Sequence, residues 1–227
     1  MKDLYIIVEG ETELEFVNQL LIPYLLPQLP TYIQAIPVSI SGGGHGYNNV
    51  EHFKNTVKPV LNYANEPVIT TMLDYFGINS EQKMPGYARC MQLNSTDDKI
   101  ACLEQSLQEQ VQRIKSYRFF IPYIQKHEME TLLFANPEAG FDLVSDSIKQ
   151  AVIAVCEQYP TIEEINNTPE GAPSKRLEAI FNANNQTYNK VVDAVDIAKL
   201  TGIETILTKC QRFNNWVQTL IQTISET

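Results

Sequence analysis

The sequence predicts an α/β fold: a mostly parallel, four-stranded sheet flanked by helices, with a C-terminal helical extension. Three observations carry that prediction. Short apolar runs rich in β-branched and aromatic residues fall at 4–8, 34–40, 67–77 and 117–125. Stretches of helical spacing separate them, the alternation that builds parallel sheets. From residue 126 onward the pattern is helical and shows no further convincing strand. The expected division is an α/β domain over 1–135 and a helical extension over 136–227 packed on it.

The first run, LYIIV at 4–8, reads as a buried strand bounded by Glu9-Gly10. Thr12-Glu13-Leu14-Glu15 fits a capping box, with Thr12 as N-cap and Glu15 reaching back. The helix should then run to Leu21 before Pro23 and Pro27 disrupt it. QAIPVSI, 34–40, is the second strand, and SGGGHG after it a loop. Val50, Phe53, Val57, Val60 and Leu61 recur at helical spacing within 49–64. PVITTMLDYFG, 67–77, is the third strand and ends at Asp74. An irregular stretch follows over 77–96, then a long polar helix over 97–116. YRFFIPYIQ, 117–125, is the fourth strand, where Pro122 calls for an edge position or a bulge. Helical patterns then occupy 137–159, 174–183, 189–199 and 203–224, and NNTPEGAPSKR (166–176) is a loop by composition.

Composition narrows the function classes. The chain has 227 residues, 44% of them hydrophobic, enough for a core and against wholesale disorder. Its net charge of −10 excludes a generic basic surface for nucleic acid. Any phosphodiester chemistry would need divalent cations or a basic partner. No apolar stretch reaches the ~18 residues that span a bilayer, and the N-terminus does not read as a signal peptide. A cytoplasmic protein with no membrane association is expected. Cys90, Cys102, Cys156 and Cys210 are scattered without a CxxC pair, so free thiols are expected rather than a zinc site.

The first strand ends in Glu9, the third in Asp74, and the fourth is followed by His127-Glu128-Met129-Glu130. If the strands are parallel, these ends share one edge of the sheet, where ligands bind in open α/β folds. Two charges ~4 Å apart repel by ~1 kcal/mol even in bulk water, and by more near protein. Such a cluster is tolerable when protons or cations sit within it. Magnesium takes oxygen ligands, and paired ions serve in-line phosphoryl displacement. Glu9, Asp74, Glu128 and Glu130 are therefore candidate ligands for Mg²⁺ or Mn²⁺. Glu9, Glu13 and His127 are candidate acid–base residues, although Glu13 would also suit the helix dipole and His127 could be structural. Glu11 is expected in solvent and Glu15 in the cap. The glycine run Gly42-Gly43-Gly44-His45-Gly46 lacks GxxxxGK[ST] and reads as a flexible loop. Lys175 and Arg176 could contact phosphate; equally, they could simply open a helix capped by Ser174.

Together, YIIVEGETE (5–13), TTMLDYFG (70–77) and YIQKHEMETLLFAN (123–136) resemble a Toprim-related bacterial family, domain of unknown function 4276. Its members are similar to the nuclease half of OLD-type (overcoming lysogenization defect) systems. The resemblance covers residues 4–135 well and the rest loosely, with PSKRL (173–177) and CQRFNNWVQTL (210–220) also typical. It implies a Toprim-like fold and a Mg²⁺-dependent nuclease acting on nucleic acid, DNA rather than RNA. Glu9 then takes the general acid/base role, Asp74 the metal role, and Glu13 the second acid of the first motif. Toprim domains carry Asp-x-Asp after the third strand, whereas here the stretch is Asp74-Tyr75-Phe76. Glu128 or Glu130 would have to supply the lost ligand. The resemblance further implies a separate ABC-type ATPase as partner, since this chain has no Walker A motif, and a role in phage defence. It leaves oligomerisation open. Two readings of another class remain: a catalytically degenerate Toprim scaffold that binds or regulates the ATPase, and an esterase or lyase using His127, for which no GxSxG motif exists.

Overall fold

Every ladder in the sheet is parallel. The computed structural model describes residues 1–40, 43–165 and 171–227. Strand β1 (Leu4–Val8) lies between β2 (Ile33–Pro37) and β3 (Val68–Asp74), and all residues of β1 and β3 are buried. Continuous apolar runs fit strands covered on both faces. The predicted fourth strand is present in two pieces, β4 (Phe120–Ile121) and β5 (Ile124–Gln125), both paired with β3. The break falls at Pro122, which has no N–H to give to a ladder. Threonines of β3 bridge the gap: Thr70 donates to the Ile121 carbonyl (2.6 Å), and Thr71 donates to the Tyr123 carbonyl while accepting the Tyr123 N–H (both 2.8 Å).

Helix α1 (Glu11–Phe16) follows β1 and runs without interruption through a π turn (Val17–Leu21) into α2 (Ile22–Leu25). Two expectations change here. The cap is Gly10, whose N–H donates to Glu13 at 2.9 Å, so Glu13 and not Glu15 closes the box. Pro23 does not end the helix. The Ile22 N–H reaches the Val17 carbonyl, five residues back, and Pro23 falls in the first turn of α2, where a missing donor costs little.

Helix α3 (Val50–Leu61) is capped by Asn49, the short α4 (Tyr87–Cys90) precedes α5 (Thr96–Ile114), and Ser95 caps α5. Cys90 and Cys102 form a disulfide between α4 and α5, correcting the expectation of free thiols. Their Cα atoms are 5.5 Å apart, a bridging distance that a sequence separation of 12 does not reveal.

After β5, a 3₁₀ segment (Met129–Ala135) leads into α6 (Pro137–Gly140) and α7 (Asp146–Cys156). A second 3₁₀ turn (Ile162–Glu164), α8 (Pro173–Ala183), α9 (Lys190–Thr201), α10 (Ile203–Lys209) and α11 (Gln211–Ser225) complete the chain. The C-terminal helices share a core with the sheet. Trp216 stacks on Tyr123 at 4.3 Å and donates its indole N–H to Thr70, and Phe213 meets Phe16 edge-on at 6.0 Å. Helix α9 packs against α1, which places its first residue beside the C-terminal edge of the sheet. Among the described residues, no helix is long and apolar enough to cross a membrane. Residues 41–42 and 166–170 of the predicted loops lie outside the described residues.

Candidate active site

Parallel pairing of β1 with β3 puts Glu9 beside Asp74, and the Asp74 N–H donates to Glu9 Oε2 at 3.0 Å. Gly77 makes this approach feasible. A Cβ built there would lie 2.7 and 2.8 Å from the Glu9 carboxylate oxygens. Gly77→Ala is expected to cost about 1 kcal/mol in stability, the low end for overpacking, because a carboxylate can swing aside. The Glu9–Asp74 hydrogen bond would be lost with that swing. Denaturant unfolding should therefore change little, while any Glu9-dependent activity or ion binding falls sharply.

Asp74 is buried at the end of β3, and its Oδ1 accepts the Met129 N–H at 2.9 Å, closing the start of the 3₁₀ segment. Glu128 Oε2 accepts the Ser174 N–H at 3.0 Å, so this carboxylate serves the start of α8, whose N-cap is Ala172 and not Ser174. Glu130 is 0% exposed. Among the described residues neither of its oxygens has a hydrogen-bond donor, although the Lys190 ammonium stands 3.1 Å from Oε1.

Lys190 is the functional candidate that sequence reasoning missed. Burial works against its charge, but Glu130, Asp74, Glu13 and Glu128 outweigh burial and hold its pKa above the ordinary lysine value. One signal was available: a cation at the first residue of a helix opposes the macrodipole and needs another reason to be there.

Burial raises the pKa of Glu9, Glu13, Asp74 and Glu130. Glu9 is pushed up by desolvation, partly offset by the Asp74 N–H and by Lys83. Glu13 is pushed up by desolvation and then by Glu9. Asp74 rises well above the usual carboxylate range through burial and the charges of Glu13 and Glu9. Glu130 rises to about 7, again mainly by burial, with Lys190 pulling the other way. These mutual influences place Glu9, Glu13, Asp74, Glu128 and Glu130 in one electrostatic cluster around Lys190.

The other candidates go elsewhere. His127 follows β5 with a left-handed backbone (φ 64°), and its pKa is lowered to about 4 by burial and by Lys126. Its ring faces Phe76 rather than the acids. Lys126 is paired with Asp97 and Glu164. Lys175 is held by Glu178, and Arg176 by the Gly171 carbonyl and the Tyr159 hydroxyl, so neither joins the acids. Glu11 is exposed, and Glu15 accepts from Gln19. A cavity of about 440 Å³ opens between α5, α11 and the β4–β5 break, and none of the five acids lines it.

The donor chemistry fits a hard divalent ion: several buried carboxylates, two of their oxygens without a hydrogen-bond donor, and fewer cations than acids. Among the described residues, no three of these side chains already surround a point that could hold an ion. Binding one would require carboxylates to rotate toward it.

No curated protein matches the chain. It is similar in structure to the C-terminal region of the Burkholderia pseudomallei OLD protein, at 14% identity and a TM-score of 0.47, covering 97% of this chain and 99% of that one. The C-terminal region of the Xanthomonas campestris pv. campestris OLD protein gives 14% identity and a TM-score of 0.42 over 98% and 96%. Superposition this loose transfers neither residues nor activity. The profile of the family described as "Domain of unknown function (DUF4276)" matches residues 8–221, and the chain belongs to that family.

Proposed function

We propose that the protein is a divalent-cation-dependent nuclease of nucleic-acid phosphodiesters, with Mg²⁺ or Mn²⁺ as the ion. The observation that carries this reading is the gathering of Glu9, Glu13, Asp74, Glu128 and Glu130 at one sheet edge around Lys190. Such a cluster is held at an electrostatic cost that a bound cation removes. Glu9, Asp74, Glu128 and Glu130 would hold the ion, which would stabilise charge on the scissile phosphate. Glu9, with its raised pKa, suits proton transfer nearer neutrality than an exposed glutamate does. Lys190 can hold a phosphate oxygen of the substrate in the same buried field, where fixed charges act more strongly than in water. Glu13 fixes the turn behind Glu9 through the Gly10 N–H. The sequence resemblance favours DNA over RNA and a separate ABC-type ATPase as partner in phage defence. A basic partner would also offset the net charge of −10 when the substrate approaches.

The test is plasmid cleavage in Mg²⁺ or Mn²⁺, with Glu9→Ala and Asp74→Ala controls. Wild-type cleavage lost in both variants is expected. Equal cleavage by all three proteins would remove the proposal.

The ammonium of Lys190, standing where an ion would neutralise the acids, favours a second reading: a non-catalytic scaffold that docks or regulates the ATPase. Titration calorimetry with Mn²⁺ separates the two. Binding that disappears in the acid variants supports the enzyme, and no binding supports the scaffold.

A further inference from the structure

We propose that a cavity of about 220 Å³ beside the acids, walled by Tyr75, Phe76, Tyr87 and His127, is a pocket for one unstacked nucleobase. The proposal rests on the nuclease reading for the source of that base, a strand whose phosphate lies at the acids.

The loop after β3 has two faces. Gly77 turns toward the Glu9 carboxylate, while Tyr75 and Phe76 line the cavity, one and two residues from Asp74. The loop is clamped: the Tyr75 N–H donates to Gln125, Phe76 to His127, Gly77 to Asp74 and Ile78 to Tyr75, all at 3.0 or 3.1 Å. A base seated here would therefore be held at a fixed offset from a phosphate at the acids.

The walls suit a flat ring. Phe76 lies 5.7 Å from Tyr75 and 5.2 Å from the His127 ring, at interplanar angles of 37° and 35°. Aromatic faces bind bases by stacking, with little regard to sequence. His127 completes the wall as a buried ring. It is 2% exposed, and neither ring nitrogen has a hydrogen-bond partner. Both nitrogens are sealed from the cavity, so the ring contributes to the wall as packing and not as a polar contact. A base edge presents both donors and acceptors. Asn79 and Lys99 add polar groups to the same lining, and among the described residues no acid lines it. The volume falls below the ~300 Å³ at which drug-sized pockets begin, which selects a single heterocycle.

The test uses uncharged nucleosides, so that neither the acids nor the net charge contributes. Adenosine, guanosine, cytidine and thymidine are titrated separately into the full chain in EDTA, and ring resonances of Tyr75, Phe76, Tyr87 and His127 are followed by NMR. At least one nucleoside should shift all four rings, and ribose 5-phosphate should not. Tyr87→Ala should weaken that binding about 5- to 150-fold, the range for one lost stacking contact. Tyr87→Phe should restore it, and Asp74→Asn should leave it intact. A short single strand should bind more tightly than the nucleoside and lose that gain when one position is abasic, which separates a base within a strand from a free nucleoside. Absence of ring shifts with all four nucleosides, or equal shifts with ribose 5-phosphate, overturns the pocket. Loss of plasmid cleavage with nucleoside binding intact bears on the nuclease reading alone.

Discussion

Lys190→Met is expected to destabilise the ion-free protein at pH 8 by about 1–3 kcal/mol and to make it more dependent on divalent ions. The ammonium lies 3.1 Å from Glu130 and is held by Glu13, Asp74 and Glu128 as well. Removing one partner of a fully buried pair costs about 3–5 kcal/mol, because the other charge is left uncompensated. The lysine side chain is 43% exposed, so solvent screens part of that loss and the lower range applies. Two remedies should act on the variant. Acidification protonates the acids and should close the gap to wild type. Mn²⁺ should close it at constant pH, because an ion present at 100 times its dissociation constant stabilises by about 2.7 kcal/mol. Thermal melts in EDTA and in Mn²⁺, at pH 8 and pH 5, measure all four conditions. A variant that melts with the wild type in EDTA at pH 8 would show that Lys190 is not the counter-charge. Equal gains from Mn²⁺ in both proteins would show that the ion does not share the lysine's place.

The convergence of the acids was legible because it follows from topology. Apolar runs alternating with helices predict parallel strands, and parallel strands put their C-terminal residues on one edge. Glu9 and Asp74 could be paired on that basis although they lie 65 positions apart in sequence. Pro122 likewise announced the break between β4 and β5. The capping acid was not legible. Gly10 with Glu13 and Thr12 with Glu15 satisfy the same three-residue spacing, and only the burial of Thr12 and Glu13 against the core decides between them. Lys190 was harder still. Its place among the acids depends on α9 docking against α1, and no local pattern encodes which face of a late helix meets an early one. His127 was a candidate acid–base residue that could also be structural. The left-handed backbone at that residue sends its ring to Phe76, a direction that residue order alone does not give.

Glu130→Gln should stabilise the ion-free protein above pH 7 and leave it unchanged near pH 4. Burial raises the folded-state pKa of Glu130 to about 7, against an ordinary value of 4.5. Between those values the folded protein keeps a proton that the unfolded chain has released, so stability falls as pH rises through the window. Each pKa unit corresponds to about 1.4 kcal/mol, which bounds the accumulated loss at about 3 kcal/mol above pH 7. Glutamine mimics the protonated acid and removes this slope. Glu9, Glu13 and Asp74 are raised by the same burial, so the variant should retain a weaker slope of the same sign. His127 opposes them. Its pKa is lowered to about 4, so the folded state refuses a proton that the unfolded chain accepts below about 6.5, and stability is lost as pH falls through that range. The difference between wild type and Glu130→Gln cancels the histidine and isolates the acid. Urea unfolding in EDTA from pH 4 to pH 8.5 supplies it. A flat difference across that range would mean that Glu130 ionises freely in the folded protein and that Lys190 already neutralises it. Saturating Mn²⁺ should then reverse the wild-type slope, because an ion binds the charged carboxylates and is displaced by protons. A slope unchanged by Mn²⁺ would show that the acids are kept for the lysine rather than for a metal.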